Sequence, residues 1–258
     1  MSHQTTRTVW ADASFEKYAT RGAYHWAEIG RNLIRHNAFT AERYRLVADR
    51  VGEGQGQRLL DYGCGDGAFL SVLTARRRGL ADVHGYDPNP LAIQYAHEAL
   101  HARRIQVSLH ESTSALVAGS FDCVTCTEVI EHASAPAEML REIAALLRPG
   151  GRLVMSTPIR LTEVPEDPNH VQEWFPTEFP ELFDQRLWRV LSHEQVVPCA
   201  AAEAYFWRPP LFLRVPIFRL ACNAVSIYAG TNAMSWLRMR SRLFMMQIVV
   251  AERRSDPA

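Results

Sequence analysis

The chain has 258 residues, with 28 Lys+Arg against 28 Asp+Glu and 47% hydrophobic residues, which excludes disorder as its main state and leaves no global charge to attract nucleic acid. Five cysteines are an odd and sparse set, unlike a secreted disulfide framework, and a reducing cytoplasm is the expected setting. No stretch reaches roughly 18 uninterrupted apolar residues, and the first ten residues lack the apolar core of a signal peptide, so no membrane span is expected.

From Arg58 short apolar runs alternate with helical periods, the pattern of successive βα units and a mostly parallel sheet. A first strand is expected over 58–62. A helix follows from Ala68, with Phe69, Leu70, Val72 and Leu73 inward and Gly79 able to end it. The second strand falls over 82–86, the next helix carries Leu91, Ile93, Tyr95, Ala96 and Leu100, and the third and fourth strands fall near 105–109 and 121–127. Ser134 and Pro136 suit the cap and first turn of a helix that buries Met139, Leu140, Ile143, Leu146 and Leu147. Pro149, Gly150 and Gly151 then turn into a fifth strand over 152–156, with sixth and seventh strands over 187–197 and 244–251.

The first chemical signal is Asp61-Tyr-Gly-Cys-Gly-Asp-Gly67, set between a strand and a helix. Glycines let the backbone approach a ligand without a Cβ in the way, and the helix N-terminus offers free N–H groups to an anionic end. Asp87 ends the second strand twenty positions after Gly67, where a carboxylate can accept from both hydroxyls of a ribose. The bland alternative is a glycine turn that only packs its helix. With Asp61 and the third glycine Gly67, the loop resembles motif I of class I S-adenosylmethionine-dependent methyltransferases. The residues 120–132, 147–151 and 153–158 look like the fourth and fifth strands of that superfamily. Residues Tyr24 to Asn37 and Arg43 are similar in layout to the N-terminal helices of ubiquinone-biosynthesis O-methyltransferases, which lid the cofactor.

The resemblance implies S-adenosyl-L-methionine as cofactor, with contacts from Asp61, Gly63, Cys64, Gly65, Gly67, Asp87 and Thr127. Where family members often have Gly-Asp after the third strand, this chain reads His110-Glu-Ser112, so Glu111 or Ser112 is the expected partner of the adenine amine. Methyl transfer is an in-line displacement, and a hydroxyl acceptor is helped by a base titrating near neutrality. His132, where the fourth strand feeds its C-terminal loop, and His170, after the fifth, are the candidate catalytic residues; a loop-fastening role is the alternative. Glu128, Glu131, His132 and His170 also resemble the metal-binding set of the Hen1 family of RNA 3′-terminal 2′-O-methyltransferases. Small-molecule methyltransferases carry similar residues without metal, the chain shows no RNA module, and its single lysine is Lys17, so no metal and no nucleic-acid partner is expected. Cys123 and Cys126 stand three apart in a strand and point to opposite faces, as buried apolar residues rather than a metal or redox pair.

Beyond Pro158 an insertion near 205–239 is dense in aromatics and arginines. It reads either as a packing subdomain with solvated arginines, or as a cover for the acceptor whose arginines meet an anionic group or a membrane surface. The expected whole is one α/β domain over 1–258, a Rossmann-like methyltransferase fold with a mostly parallel seven-stranded sheet and helices on both faces. Within it 1–57 forms a helical lid, 58–158 the cofactor core and 159–258 the substrate side. The expected activity is O-methylation of a small molecule or a saccharide- or lipid-linked intermediate. The readings set against it are a metal-dependent RNA methyltransferase, an NAD-binding oxidoreductase and a non-catalytic cofactor-binding protein.

Overall fold

In strand β1 (Gln57–Tyr62) Leu59, Leu60 and Tyr62 are all buried, so apolar side chains fill both faces, as a central parallel strand requires. It lies between β2 (Leu80–Tyr86) and β4 (Phe121–Thr127), parallel to both. With β3 (Ser108–His110), β5 (Leu147–Pro158), β6 (Trp188–Pro198) and β7 (Phe244–Arg253) the sheet has seven strands in the order β3-β2-β1-β4-β5-β7-β6. Only β7 runs against the rest, pairing antiparallel with β5 and β6. The computed structural model describes residues 17–52, 56–77, 79–165, 167–207, 216–232 and 242–255.

Strand alternation divides the core into two layers. Leu59, Cys123 and Val154 pack on one face with α3 (Ala38–Arg50), α4 (Ala68–Arg76) and α5 (Pro90–Ala102). Leu60, Val124, Leu153 and Met155 pack on the other with α6 (Pro136–Leu146). Cys123 and Cys126 fall in different layers, as their spacing demands, and burial pushes the Cys123 thiol up to about 12.

The departures from expectation are local. Helix α4 stops at Arg76, where Arg77 turns extended and donates its N–H to Leu73 O, ahead of Gly79. Helix α5 unwinds through Arg104 in a left-handed conformation, with the Ile105 N–H held by Leu100 O, so β3 starts at Ser108 rather than near 105. The residue at the cap of α6 is Ala135 instead of Ser134, with Pro136 in the first turn as expected. Strand β5 begins at Leu147 and includes Pro149 to Gly151, because Leu147 already pairs with Phe121 before the register shifts.

Two short helices precede this core, α1 (Lys17–Arg21) and α2 (Tyr24–Ile29), and two follow β6, α7 (Cys199–Phe206) and α8 (Ile217–Ala229). The strand order reverses between β1 and β4, and at such a reversal the connecting loops part to leave a crevice beyond the strand ends.

Candidate active site

That crevice is a cavity of about 710 Å³, within the range of small-molecule sites. Its floor is the loop after β1. The Gly63 and Cys64 N–H groups both donate to Tyr86 O, at 2.7 and 2.8 Å, which ties the loop to the end of β2. Gly63 and Gly65 have φ of 81° and 54°, and a Cβ on either would collide, with Val129 for the first and with the Tyr18 hydroxyl for the second. Asp87 accepts from the Gly65 N–H and the Asn89 N–H, both at 2.9 Å, so its carboxylate is held rigid at the cavity wall. Burial raises it to about 6, against the pull of those two hydrogen bonds. Asp61, also in the wall, accepts from Thr125 Oγ1 at 2.8 Å and is raised by burial to about 7.

The N-terminal helices close over this floor. His25 donates its backbone N–H to Asp66 Oδ2 at 3.1 Å and the Trp26 indole donates to Asp66 O at 2.7 Å, fastening α2 to the glycine loop. Lys17 Nζ reaches Asp167 Oδ2 at 3.1 Å, joining α1 to the segment after β5, and both residues line the cavity. From α3, Arg43 and Tyr44 enter the wall, and Arg43 Nη1 pairs with Glu128 Oε2 at 3.3 Å.

Beyond β4 the chain makes a tight turn in which Glu128 has φ of 56°, a conformation that a side chain with Cβ adopts only when its surroundings enforce it. Glu128 is held there by Arg43 and by Ser156 Oγ, which donates to Oε1 at 3.0 Å. Glu131 is fully buried, accepts from Thr157 Oγ1 at 3.1 Å, and has its carboxyl raised by burial and then by the neighbouring Glu128. His132 donates from Nδ1 to Asn169 O at 2.8 Å, a partner that assigns the proton to Nδ1 and basicity to Nε2. Burial lowers His132 to about 4, so it is neutral at pH 7 but a weaker base than the near-neutral one expected from the sequence. The His170 ring stands 5.0 Å from that of His132 and bonds Glu173 Oε1 through Nδ1 at 2.6 Å.

Asp61, Gly63, Cys64, Gly65, Asp87, Thr127, His132 and His170 thus meet in one cavity. Gly67, Glu111 and Ser112 do not line it. Gly67 is in the left-handed region with α5 pressed against it, where a Cβ would meet Leu100 and Ala96 at 3.0 and 3.1 Å. Ser112 caps the 3₁₀ turn over Thr113–Ala115 and Glu111 is exposed. None of the described residues of 205–239 lines the cavity either; Tyr205 and Asn223 instead hold the start of α3. Of the four residues of the metal-like set, three converge: Glu131, His132 and His170 offer ligand atoms within 4.8 Å of one another, while Glu128 is engaged by Arg43. Arg43, Tyr18, Tyr44 and Asn169 are wall residues that no local motif announces, because they are brought in by elements remote in sequence.

Residues 34–195 match a family model described as Methyltransferase domain. The chain belongs to this family. The wall suits S-adenosylmethionine, the cofactor that such a domain implies: Asp87 presents a carboxylate held by two backbone N–H groups, and Thr127 Oγ1 and Arg43 Nε are buried without a partner among the described residues, while Gly63 and Gly65 make room for Val129 and Tyr18. The Ubiquinone biosynthesis O-methyltransferase of Aeromonas salmonicida (strain A449) is 35% identical over 150 residues, covering 56% of this chain and 60% of that protein. The chain therefore spans about three fifths of the length of such relatives. Among solved structures, Haemonchus contortus phosphoethanolamine N-methyltransferase 2 in complex with S-adenosyl-L-methionine superimposes with a TM-score of 0.62 at 16% identity, over 93% of this chain and 58% of that one. The [4+2]-cyclase SpnF does so with a TM-score of 0.60 at 17% identity, over 83% and 81% of the two chains. These two likenesses speak to the fold alone, and a fold shared by a cyclase and a methyltransferase does not choose the acceptor.

Proposed function

We propose that the protein is an S-adenosylmethionine-dependent methyltransferase acting on oxygen, methylating a hydroxyl of a small molecule or of a saccharide- or lipid-linked intermediate. The observation that carries this reading is the placement of a neutral histidine, His132, in the same cavity as the glycine loop and Asp87. Asp87 follows β2 and His132 lies beyond β4, two strands away across β1, so about 10 Å separates the strand ends that carry them. The relative's name supports oxygen as the acceptor atom. S-adenosylmethionine supplies an electrophilic methyl group on a sulfonium. The protein's part is to hold the donor on Gly63, Gly65 and Asp87, to hold the acceptor hydroxyl against His132, and to keep water out beneath α1 and α2. Nε2 of His132 accepts the hydroxyl proton, and Asn169 O keeps the ring in the tautomer that can do so.

A second reading rests on the convergence of Glu131, His132 and His170. Both histidines have Nδ1 held by an oxygen, which orients their rings, and Glu131 Oε1 is buried without a partner among the described residues. A divalent cation of the Mn²⁺ type suits that donor set and would activate the hydroxyl in place of the base. Dialysis against EDTA separates the two, with turnover read as S-adenosylhomocysteine formed over a panel of phenolic, saccharide and lipid-linked alcohols. The expected result is unchanged turnover; full loss restored by Mn²⁺ would replace the first reading by the second.

A further inference from the structure

Helix α8 turns its polar side toward the protein and its apolar side toward solvent. At 100° per residue Arg219, Cys222, Asn223 and Ser226 share one face. Each is engaged inward. Asn223 is fully buried, accepts from Tyr205 Oη at 2.7 Å and donates to Leu33 O and His36 O at 2.9 and 2.7 Å. Ser226 Oγ bonds His36 Nε2 at 2.9 Å, and the Arg219 guanidinium lies 5.4 Å from the centre of the Tyr205 ring. The opposite face carries Ile217, Ala221, Ala224 and Tyr228, with Phe218 at its margin. Ile217 and Tyr228 are 73% and 70% exposed.

Neighbouring elements continue this surface. The loop before α3, tied to α8 through Leu33 and His36, presents Ile34 at 78% exposure. The end of α7 adds Phe206 and Trp207, and Phe206 packs 5.5 Å from Phe39. The stretches of chain that carry these residues are one-signed in sequence. No Asp or Glu occurs from 29 to 41 or from 204 to 251, while those two stretches hold eight arginines. Among these Arg31 and Arg35 are exposed, and Arg31 lies 5.8 Å from the centre of the Tyr228 ring. Glu203, on α7 one turn before Trp207, marks the edge of the acid-free zone.

We propose that this face docks on the surface of an anionic lipid bilayer. A helix with bulky apolar and aromatic side chains outward and arginines beside them matches the acyl–headgroup boundary, where apolar side chains enter and guanidinium groups meet lipid phosphate. The exposed Arg31 and Arg35 disfavour a second copy as occupant, because two such faces would bring like charges together. No helix among the described residues is long and apolar enough to cross a membrane, and the contact proposed is with the bilayer surface. The site of docking is also joined to the cavity: Tyr205 Oη and Asn223 Oδ1 both accept from the Ala38 N–H, at 2.9 and 3.3 Å, at the start of the helix that carries Arg43 and Tyr44.

Co-sedimentation of the full chain with vesicles of phosphatidylcholine, with and without phosphatidylglycerol, tests this independently of any reaction. The chain should bind the anionic vesicles at least about tenfold more tightly than the neutral ones, at about 1 kcal/mol for each arginine that reaches the surface. Ile217→Ser with Tyr228→Ser should weaken that binding by about tenfold or more, with cofactor affinity and Tm unchanged. Equal binding to both vesicles, or binding unaffected by the paired substitution, would overturn the proposal. A dimer seen by light scattering that the same pair dissociates would assign the face to a second copy, and retention by an acidic protein column without vesicle binding would assign it to a protein partner.

Discussion

Asp87 joins the fold and its pH response in one side chain. It accepts from the backbone at Gly65 and Asn89, so it braces the loop before any ligand arrives, and burial raises it to about 6. Asp87→Ala should weaken S-adenosylmethionine binding by about 1.5–3 kcal/mol, the range for hydrogen bonds to a charged group, read by calorimetry. Because the ionised form is the better acceptor for two hydroxyls, affinity in the wild type should be flat above neutrality and fall as the pH drops through about 6. An affinity that does not change between pH 7.5 and 5 would remove Asp87 from the contact. Asp87 and the loop glycines were legible because chain spacing alone sets a strand end and a turn side by side. Glu111 and Ser112 were not, since β3 starts later than its apolar run suggests and the residues after it turn away from the cavity.

At the scale of elements, the buried amide of Asn223 ties together α3, α7 and α8, beside that of Asn232, which donates to Ala38 O. Asn223 satisfies the Tyr205 hydroxyl, the Leu33 and His36 carbonyls and, more weakly, the Ala38 N–H. Asn223→Ala strands several of these groups at once and should destabilise the protein by about 1–3 kcal/mol, lowering Tm by about 2–4 °C for each kcal/mol. Since α3 carries Arg43 and Tyr44 into the cavity wall, the same variant should also bind S-adenosylmethionine more weakly, whereas Ile217→Ser on the outward face of α8 should not. The strands and the helices α4, α5 and α6 could be drawn from periodicity, as two-sided burial and a 3.6-residue stripe leave strong local patterns. Helix α8 reads the other way round: its apolar stripe would ordinarily be assigned to the core, and only its hydrogen-bonded neighbours show that the polar stripe faces in.

Over the whole molecule, the cavity concentrates carboxyls that folding makes harder to ionise: burial raises Asp87 to about 6 and Asp61 to about 7, and holds Glu131 well above the usual range. A carboxyl raised in the fold contributes stability that is fully present below its ordinary value near 4 and is lost as the pH rises through its folded value. Asp61→Asn, uncharged and of similar shape, should therefore gain on the wild type as the pH rises, its Tm advantage growing from pH 5 to pH 7 and levelling above that. A constant difference across that range in a thermal-shift series would count against the buried charge. The sequence by itself determined the βα alternation, the glycine loop, the acid after the second strand and the histidines after the fourth and fifth strands, all set by period and spacing along a short stretch of chain. Tertiary structure alone decided that Arg43 and Tyr44 reach the cavity wall, that Glu131, His132 and His170 converge while Glu128 is drawn off by Arg43, and that Gly67 lies off the cavity with α5 packed against it. Those placements depend on contacts between segments remote in sequence, formed when the chain closes its layers, and no local pattern encodes which remote side chain will arrive at a given wall.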